Sequence, residues 1–224
     1  MARKIIAAIG SINAGKDTVM NRLQSRLIYQ YRYTMSTVRT RFADSLNEAV
    51  APILGISSKE LQDRSLKEEK RFVFGANRSG IESKWSSRDV QKRVGQLLRE
   101  NLGEDVFINA LDRKYGNSAS ILLISDLRYQ NELDWVKRQG GKVVYIHNEA
   151  AAEAQKARET LHGWVEPNNS MRYGTHRPPE SELLQWDFYN KVEIPDYWLD
   201  NNDFSATQPF DDFVKFVLNY LEEG

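Results

Sequence analysis

The sequence has no cysteine and only three histidines among its 224 residues. Without cysteine there is no disulfide framework, thiol nucleophile or cysteine-ligated zinc site, and three scattered histidines make a weak metal-binding set. Long hydrophobic runs are also lacking, since the N-terminal run ends at Gly10, short of a signal-peptide core or a membrane span. We therefore expect a soluble protein of the cytoplasm that has no membrane partner.

The sequence also has no excess of positive or negative charge, because 31 Lys and Arg residues balance 31 Asp and Glu residues. A net charge of zero provides no general attraction to polyanions, so we expect no nucleic-acid partner. The hydrophobic share of 41% is enough for a sizeable core in a chain of this length. Composition thus fits one large α/β domain or two small ones.

Continuous apolar runs alternate along the chain with segments whose apolar residues have helical spacing. This pattern predicts an α/β core with a parallel sheet. The predicted elements, in chain order, are strand 5–9, helix 19–31, strand 39–43, a helix from residue 46 capped by Asp44 or Ser45, helix 90–102, strand 121–124, helix 131–138, strand 143–146, edge strand 197–199 and helix 210–221. Two polar, glycine-containing segments, 57–88 and 148–182, predict excursions from this core. The first of them is expected to be partly helical and mobile.

The turn between the first strand and the first helix carries the chemistry. Residues 10–16, here called the phosphate loop, match the pattern G-x-x-x-x-G-K of nucleotide-binding loops. Its glycines let successive backbone N–H groups point into one concavity, and the following helix adds its positive end. The candidate phosphate-binding residues are Gly10, Ser11, Asn13, Ala14, Gly15, Lys16 and Thr18.

Asp17 stands where such loops usually place a Ser or Thr hydroxyl on magnesium, and Thr18 follows one place later. One interpretation makes Asp17 a favourable acid in the first turn of the helix. The other makes it functional, because a carboxylate beside bound phosphates needs a cation or an incoming hydroxyl between them. We favour the functional interpretation, with Asp17, Thr18 and Asp126 as candidate magnesium ligands.

Two residues follow the predicted strand 121–124 at the edge where ligands bind in parallel sheets. Asp126 either holds Mg²⁺ through water or caps the next helix. Arg128 either binds a phosphate through two N–H groups of its guanidinium or is a solvated loop residue. Asp44 ends the strand predicted at 39–43 in the same way, so acids and arginines are expected to converge on one edge.

Four segments together resemble the phage-type deoxynucleoside monophosphate kinases. These segments are 15–18 (GKDT), 42–46 (FADSL), 126–132 (DLRYQNE) and the stretch from His176 to Glu182. The resemblance spans most of the chain in the same order, except that Asp-Asn-Asn at 200–202 replaces the family's Asn-Asp-Gly type of turn. We expect that difference to affect C-terminal packing and not the chemistry.

The resemblance implies a donor site at the phosphate loop and an active-site role for Asp126, Arg128, Asn131 and Glu132. It also implies a monophosphate-binding insertion at 57–99 and a lid at 148–182, around a core formed by 1–56, 100–147 and 183–224. The predicted catalytic residues are Lys16, Asp17, Arg128 and Glu132. The predicted substrate-binding residues are Asp44, Arg71, Arg99, Asp126, Arg128, Asn131, Trp164, Arg172 and Arg177.

These inferences predict a three-layer P-loop kinase fold, with a parallel sheet of about five strands and helices on both faces. The expected reaction moves the γ-phosphoryl group of ATP, with Mg²⁺, onto a deoxynucleoside 5′-monophosphate, in the host cytoplasm if the chain is of phage origin. Two alternatives stay open: a P-loop kinase for another small phosphorylated metabolite, and a non-catalytic nucleotide sensor. The sequence also leaves open the bases accepted and whether the chain forms a homodimer.

Overall fold

The computed structural model describes residues 3–31, 34–63, 65–76, 82–116, 119–161, 194–203 and 205–223. The chain divides into two compact units, of which the first comprises residues 1–41 and 117–224 and the second residues 42–116. The predicted insertion at 57–99 lies inside the second unit, and its role and boundaries stay predictions. Among the described helices, none has the length and apolar character needed to cross a membrane.

The first unit contains a sheet of five strands and the helices that cover it. Its elements are β1 (Lys4–Ile9), α1 (Lys16–Tyr31), β2 (Thr37–Thr40), β5 (Ile121–Ile124), α6 (Gln130–Arg138), β6 (Lys142–His147), α7 (Glu149–Leu161), β7 (Tyr197–Asp200) and α8 (Gln208–Glu222). The strand order is β2-β5-β1-β6-β7, and every neighbouring pair is parallel. The predicted parallel sheet, its central first strand and the edge strand predicted at 197–199, which the structure extends to Asp200, are confirmed.

Helices pack on both faces of this sheet. Ile6 and Ala8 of β1 share a buried cluster with α1 and α8, whereas Ile5, Ala7 and Ile9 face the other way and are also buried. On that opposite face Val136 of α6 lies close to Ile5, with Gly141 between them. Side chains alternate between the two faces of a strand, so β1 needs an apolar residue at every position from Ile5 to Ile9. The structure therefore has the three layers that the sequence predicts.

The second unit is built mainly from helices. It contains α2 (Asp44–Ile53), α3 (Ser58–Gln62), the antiparallel hairpin β3 (Phe72–Ala76) and β4 (Glu82–Trp85), α4 (Ser87–Leu102) and α5 (Val106–Tyr115). Val50, Leu61 and Val90 form its buried cluster, against which Phe72 and Trp85 pack. The predicted helix at 90–102 is confirmed, and its start is fixed by a capping box in which Ser86 and Asp89 bond each other's backbone.

Two local predictions are wrong. The strand predicted at 39–43 is β2, which ends at Thr40 because its pairing partner β5 ends opposite it at Ile124. The cap predicted at Asp44 or Ser45 is absent, since the helix begins at Asp44 and no side chain caps it. Ala43 occupies the capping position with a backbone that is already helical (φ −76°, ψ −2°). Asp44 is instead an acid in the first turn, where the helix dipole favours it.

Candidate active site at the phosphate loop

The carboxyl end of β1 leads directly into the phosphate loop. β1 lies between β5 and β6; the connection after β1 runs to β2 on one side, whereas the connection after β5 crosses β1 to reach β6 on the other side. A crevice forms at such a point in open parallel sheets, and ligands bind there. Leu127 donates its backbone N–H to Ala8 O (3.2 Å), which ties the segment after β5 to the same strand end. The loops after β1 and β5 thus meet at one edge.

Glycine is required at both ends of the phosphate loop. Gly10 has φ +151°, and a Cβ there would collide with the backbone oxygen of Ile146. Gly15 has φ +89°, and a Cβ there would come within 2.6 Å of Asn201 Nδ2. Between them Asn13 adopts a left-handed backbone (φ 68°), which asparagine tolerates better than most residues. These positions explain why the loop pattern needs its two glycines.

Lys16 folds back over the loop that precedes it. Its Nζ donates to Gly10 O (2.7 Å) and to Ser11 O (2.8 Å), while its backbone opens α1. The ammonium group is therefore held beside the loop by two carbonyl oxygens. Because the N-terminus of α1 adds its own positive end, the loop can attract an anionic ligand.

Asp17 joins α1 to the ends of two strands. Its Oδ1 accepts a hydrogen bond from Ser125 Oγ (2.7 Å), just past β5, and one from Arg39 Nη1 of β2 (3.3 Å). The Asp17 side chain is 52% exposed, so the carboxylate is anchored on one side and open to solvent on the other. A role as a first-turn acid alone does not account for this geometry, because two side chains fix where the carboxylate lies.

The loop after β5 is held in place by Glu132. This buried residue accepts backbone N–H groups from Arg128 (3.0 Å) and Tyr129 (3.2 Å) on one carboxylate oxygen. Arg128 itself is exposed, whereas Asp126 is buried. Glu132 therefore positions the backbone that carries Arg128, and the catalytic role predicted for it stays a prediction.

Asp126 does not cap α6, because that helix begins at Gln130 with Tyr129 in the capping position. Asp126 is buried, and its role in holding Mg²⁺ through water stays a prediction. Asn131 is the second residue of α6 and is half-buried.

The predicted metal ligands offer hard oxygen donors at the edge of the sheet. Asp17 and the Ser125 hydroxyl are in contact, Asp126 follows Ser125, and Thr18 is exposed in the first turn of α1. Within the described ranges, no group of three or more Asp, Glu, His or Cys side chains is arranged to hold a metal ion. Mg²⁺ needs no such cage, because one or two carboxylates, water and substrate phosphates complete its octahedron. The donor set fits Mg²⁺ brought in with a nucleotide.

Three predicted substrate-binding residues lie in the second unit. Asp44 opens α2, Arg71 pairs with Glu69 (3.7 Å), and Arg99 donates to Glu104 O (2.8 Å) near the end of α4. The structure does not bring Arg71 and Arg99 together through any contact that it describes. Their roles stay predictions.

Sequence reasoning missed a basic cleft of about 410 Å³ in the second unit. Its walls consist of Lys70, Lys84, Trp85, Asp89, Lys92, Arg93 and Gln96. The pKa of Asp89 is lowered mainly because it accepts the backbone N–H of Ser86, and the nearby Lys70 and Lys92 lower it further. The cleft is therefore lined by cations around one ionised acid.

The predicted lid residues Trp164, Arg172 and Arg177 lie outside the described residues. The part of that segment that is described forms α7, which begins with Asn148 Oδ1 accepting the N–H of Ala151 (2.9 Å). A cleft of about 280 Å³ separates α7 from the phosphate loop, lined by Ile12, Asn13, Asn148, Ala150, Ala151, Ala154 and Gln155.

Four further residues that contact the site were also missed. Arg39 and Ser125 bind Asp17, and Gln155 and Asn201 bind the backbone of the phosphate loop. The turn at 200–202, which the sequence assigns to C-terminal packing, also contacts the phosphate loop, because the Asn201 side chain donates to Ala14 O. The sequence signal that could have identified Ser125 and Asn201 is their position just after predicted strands, and Arg39 and Gln155 have no such signal.

No model of a known protein family matches the chain, and no curated protein matches its sequence. Among solved structures, shikimate kinase from Acinetobacter baumannii is 14% identical with a TM-score of 0.43, covering 98% of this chain and 95% of that one. A gluconokinase from Sinorhizobium meliloti is 12% identical with a TM-score of 0.38 (100% and 98% covered). Cobyrinic acid a,c-diamide synthase from Mycobacterium smegmatis, with bound ADP and magnesium, is 10% identical with a TM-score of 0.46 (100% and 97% covered).

These three similarities are too distant to indicate an activity for this chain. The chain's own strand order, layers and loop geometry define the class: a three-layer α/β protein with a phosphate loop after its central strand.

Proposed function

We propose that this protein is a nucleotide kinase that transfers the γ-phosphoryl group of ATP to a deoxynucleoside 5′-monophosphate. The observation that carries the proposal is the pairing of the phosphate loop with Asp17, a carboxylate fixed beside the loop by Ser125 and Arg39. An acceptor phosphate oxygen forms a bond to the γ-phosphorus, while the bond from that phosphorus to the β–γ bridging oxygen breaks. The products are ADP and a deoxynucleoside diphosphate.

The donor triphosphate belongs in the phosphate loop. Lys16 would exchange its contacts with Gly10 O and Ser11 O for β- and γ-phosphate oxygens, which attract an ammonium group more strongly than neutral carbonyls do. The N–H groups at the start of α1 would bind the remaining charge. Asp17 and Asp126 are the residues that would hold Mg²⁺, which supplies charge neutralisation between the phosphates when it is bound.

Asp17 and Arg128 have complementary roles in this reaction. The anchored Asp17 carboxylate keeps one oxygen toward Ser125, and its other oxygen would hold Mg²⁺ or the acceptor. Arg128 is exposed on a backbone that Glu132 fixes, so its guanidinium can reach a phosphoryl group in transfer. Phosphoryl transfer is accelerated mainly by alignment and by cations around the migrating group, which both residues would provide.

The choice of a deoxynucleoside monophosphate rests on the resemblance at residues 15–18, 42–46 and 126–132. A different small phosphorylated acceptor is the first competing outcome, and a nucleotide sensor without transfer is the second.

A panel of acceptors tests the proposal. The common ribo- and deoxyribonucleoside monophosphates are incubated with protein, ATP and Mg²⁺, and ADP formation and melting temperature are measured for each. We expect ADP to form only with an acceptor, most rapidly with a deoxynucleoside monophosphate. Turnover with none of them, together with stabilisation by ATP alone, would favour the sensor.

A further inference from the structure

Two side-chain amides from distant parts of the chain hold the backbone of the phosphate loop. Asn201, in the turn after β7, donates its Nδ2 hydrogen to Ala14 O at 2.8 Å. Gln155, on α7, accepts the backbone N–H of Ile12 on Oε1 at 3.0 Å. Both amide side chains are buried, with 9% and 7% of each residue exposed. Buried amides need hydrogen-bond partners, and here the loop backbone supplies them.

The bond to Asn201 determines where the next N–H group points. In a planar trans peptide the C=O and the N–H point in opposite directions. Because Ala14 O is held toward Asn201, the N–H of Gly15 points away from Asn201. The amide also packs directly on Gly15, where a Cβ would come within 2.6 Å of Asn201 Nδ2.

Gln155 acts on the other side of the loop through the same geometry. The N–H of Ile12 points toward α7, so the carbonyl of Ser11, in the same peptide unit, must point the opposite way. Lys16 Nζ is found there, donating to Ser11 O at 2.8 Å. Gln155 therefore helps to set the resting place of the lysine that would bind the donor phosphates.

The turn that carries Asn201 is itself fixed to the start of α7. Asn201 donates its backbone N–H to His147 O (2.8 Å) and accepts from Asn148 Nδ2 (2.8 Å) on its own carbonyl oxygen. Its neighbour Asn202 accepts the backbone N–H of Glu149 (2.6 Å). Asn201 thus bonds the phosphate loop from a turn that is itself hydrogen-bonded to His147 and Asn148. The bond described for Asn202 goes to α7 instead.

We propose that Asn201 and Gln155 are positioning residues that prearrange the phosphate loop for a polyphosphate. The inference rests on the proposed donor site and adds two residues that act through the backbone of the loop. Neutral amides suit this task, because they orient the peptide groups without placing charge near the phosphates. A loop held in its binding shape loses less conformational entropy when the ligand arrives, so affinity depends on these bonds.

Asn201→Leu and Gln155→Met each remove one bond to the loop and keep similar side-chain volume. Asn202→Leu, the same change one residue along the turn, is the matched control. Inorganic tripolyphosphate and ADP are the probes, titrated calorimetrically into the full-length chain, because tripolyphosphate tests the loop without a base. Melting temperature is recorded for every variant, and KM for ATP and kcat are measured with the best acceptor from the panel.

We expect Asn201→Leu and Gln155→Met to bind tripolyphosphate and ADP about tenfold more weakly than the parent, with melting temperatures like that of the control. KM for ATP should rise by a similar factor while kcat changes less than about twofold, a split that general loosening of the fold would not produce. Parent-like affinity in both variants would overturn the inference. Affinity that falls only together with melting temperature, equally in the Asn202→Leu control, would overturn it too. If the parent itself binds neither probe, the proposed donor site is what fails.

Discussion

Ser125 donates its hydroxyl hydrogen to Asp17 at 2.7 Å, across 108 residues of sequence. Ser125 directly follows β5, and Asp17 is in the first turn of α1, so the bond joins the two loops that meet at the carboxyl edge of the sheet. The residue after the loop lysine is a carboxylate here, and the nearby hydroxyl comes from another strand. The function proposed for Asp17 depends on this contact.

The first prediction concerns the charge of Asp17. Asp17→Asn keeps the size of the side chain and an acceptor for Ser125, so the fold and ATP affinity should persist. We expect kcat to fall by about 10²-fold or more, because the carboxylate charge that organises metal or acceptor is gone. Steady-state kinetics across a Mg²⁺ titration measures this.

Ser125→Ala provides the comparison for that variant. Loss of one anchoring hydrogen bond should lower kcat less than loss of the charge, and the two effects should not add in the double variant because both act through one carboxylate. Kinetics of Asp17→Asn that match the parent at every Mg²⁺ concentration would remove the functional role of this residue.

The second prediction concerns Lys16. Lys16→Ala removes the cation that the loop carbonyls hold, and we expect transfer to fall about 10²-fold or more while the melting temperature changes little. Arg26→Ala, an exposed change on the same helix, is the control and should retain parent activity. Near-normal transfer by Lys16→Ala would contradict the assignment of the donor site.

The third prediction concerns Arg128. Arg128→Lys keeps the charge but loses the planar fork that can donate to two phosphate oxygens, so kcat should fall by at least about tenfold. Arg138→Lys at the end of α6 makes the same change on an exposed residue outside the site and should have no effect. Equal rates for the two variants would make Arg128 an ordinary surface residue.

The fourth prediction concerns stability at alkaline pH. Burial raises the pKa of Tyr220 above its ordinary value of about 10. Its hydroxyl donates to Gly140 O (2.9 Å) and accepts the N–H of Ile5 (3.3 Å), which links α8 to β1 and to the turn before β6. Tyr220→Phe should therefore lower the free energy of unfolding by about 1–2 kcal/mol at neutral pH.

The pH dependence of that difference has a definite sign. Above pH 10 the unfolded chain releases the Tyr220 proton while the folded chain keeps it, so the free energy of unfolding falls as pH rises through the folded pKa. Tyr220→Phe lacks this contribution, and the stability gap to the parent should narrow above about pH 10. Urea unfolding at several pH values measures the gap, with the exposed Tyr29→Phe as control. A gap that stays constant to high pH would contradict the role given to Tyr220.

The elements that sequence predicted well are those whose signal is local. β1, β5 and β6 are buried on both faces and read as continuous apolar runs, and the phosphate loop is set by its glycines and lysine. α7 was missed because its Ala- and Glu-rich sequence has no apolar stripe, although those residues favour helix strongly. The hairpin of β3 and β4 was missed because Phe72, Val73 and Phe74 lie in a segment dominated by charge.

The candidate site was predictable only where one segment carries it. The loop and Asp17 are adjacent in sequence, so spacing alone identified them. Ser125 and Asn201 reach the loop region from 108 and 187 residues away, through a strand order that no local pattern specifies. Glu132 shows the same limit, because the motif marked it as functional and only its contacts with Arg128 and Tyr129 reveal a positioning role.

Phosphoryl transfer from ATP to a nucleoside monophosphate can be measured by following the γ-phosphate itself. ATP labelled at the γ-phosphate is incubated with the protein, Mg²⁺ and deoxynucleoside monophosphates, and the labelled products are separated. We expect label in the deoxynucleoside diphosphate, in amounts equal to the ADP formed, with Lys16→Ala reducing both. Label that appears only as inorganic phosphate, or that stays in ATP whichever monophosphate is added, would contradict it.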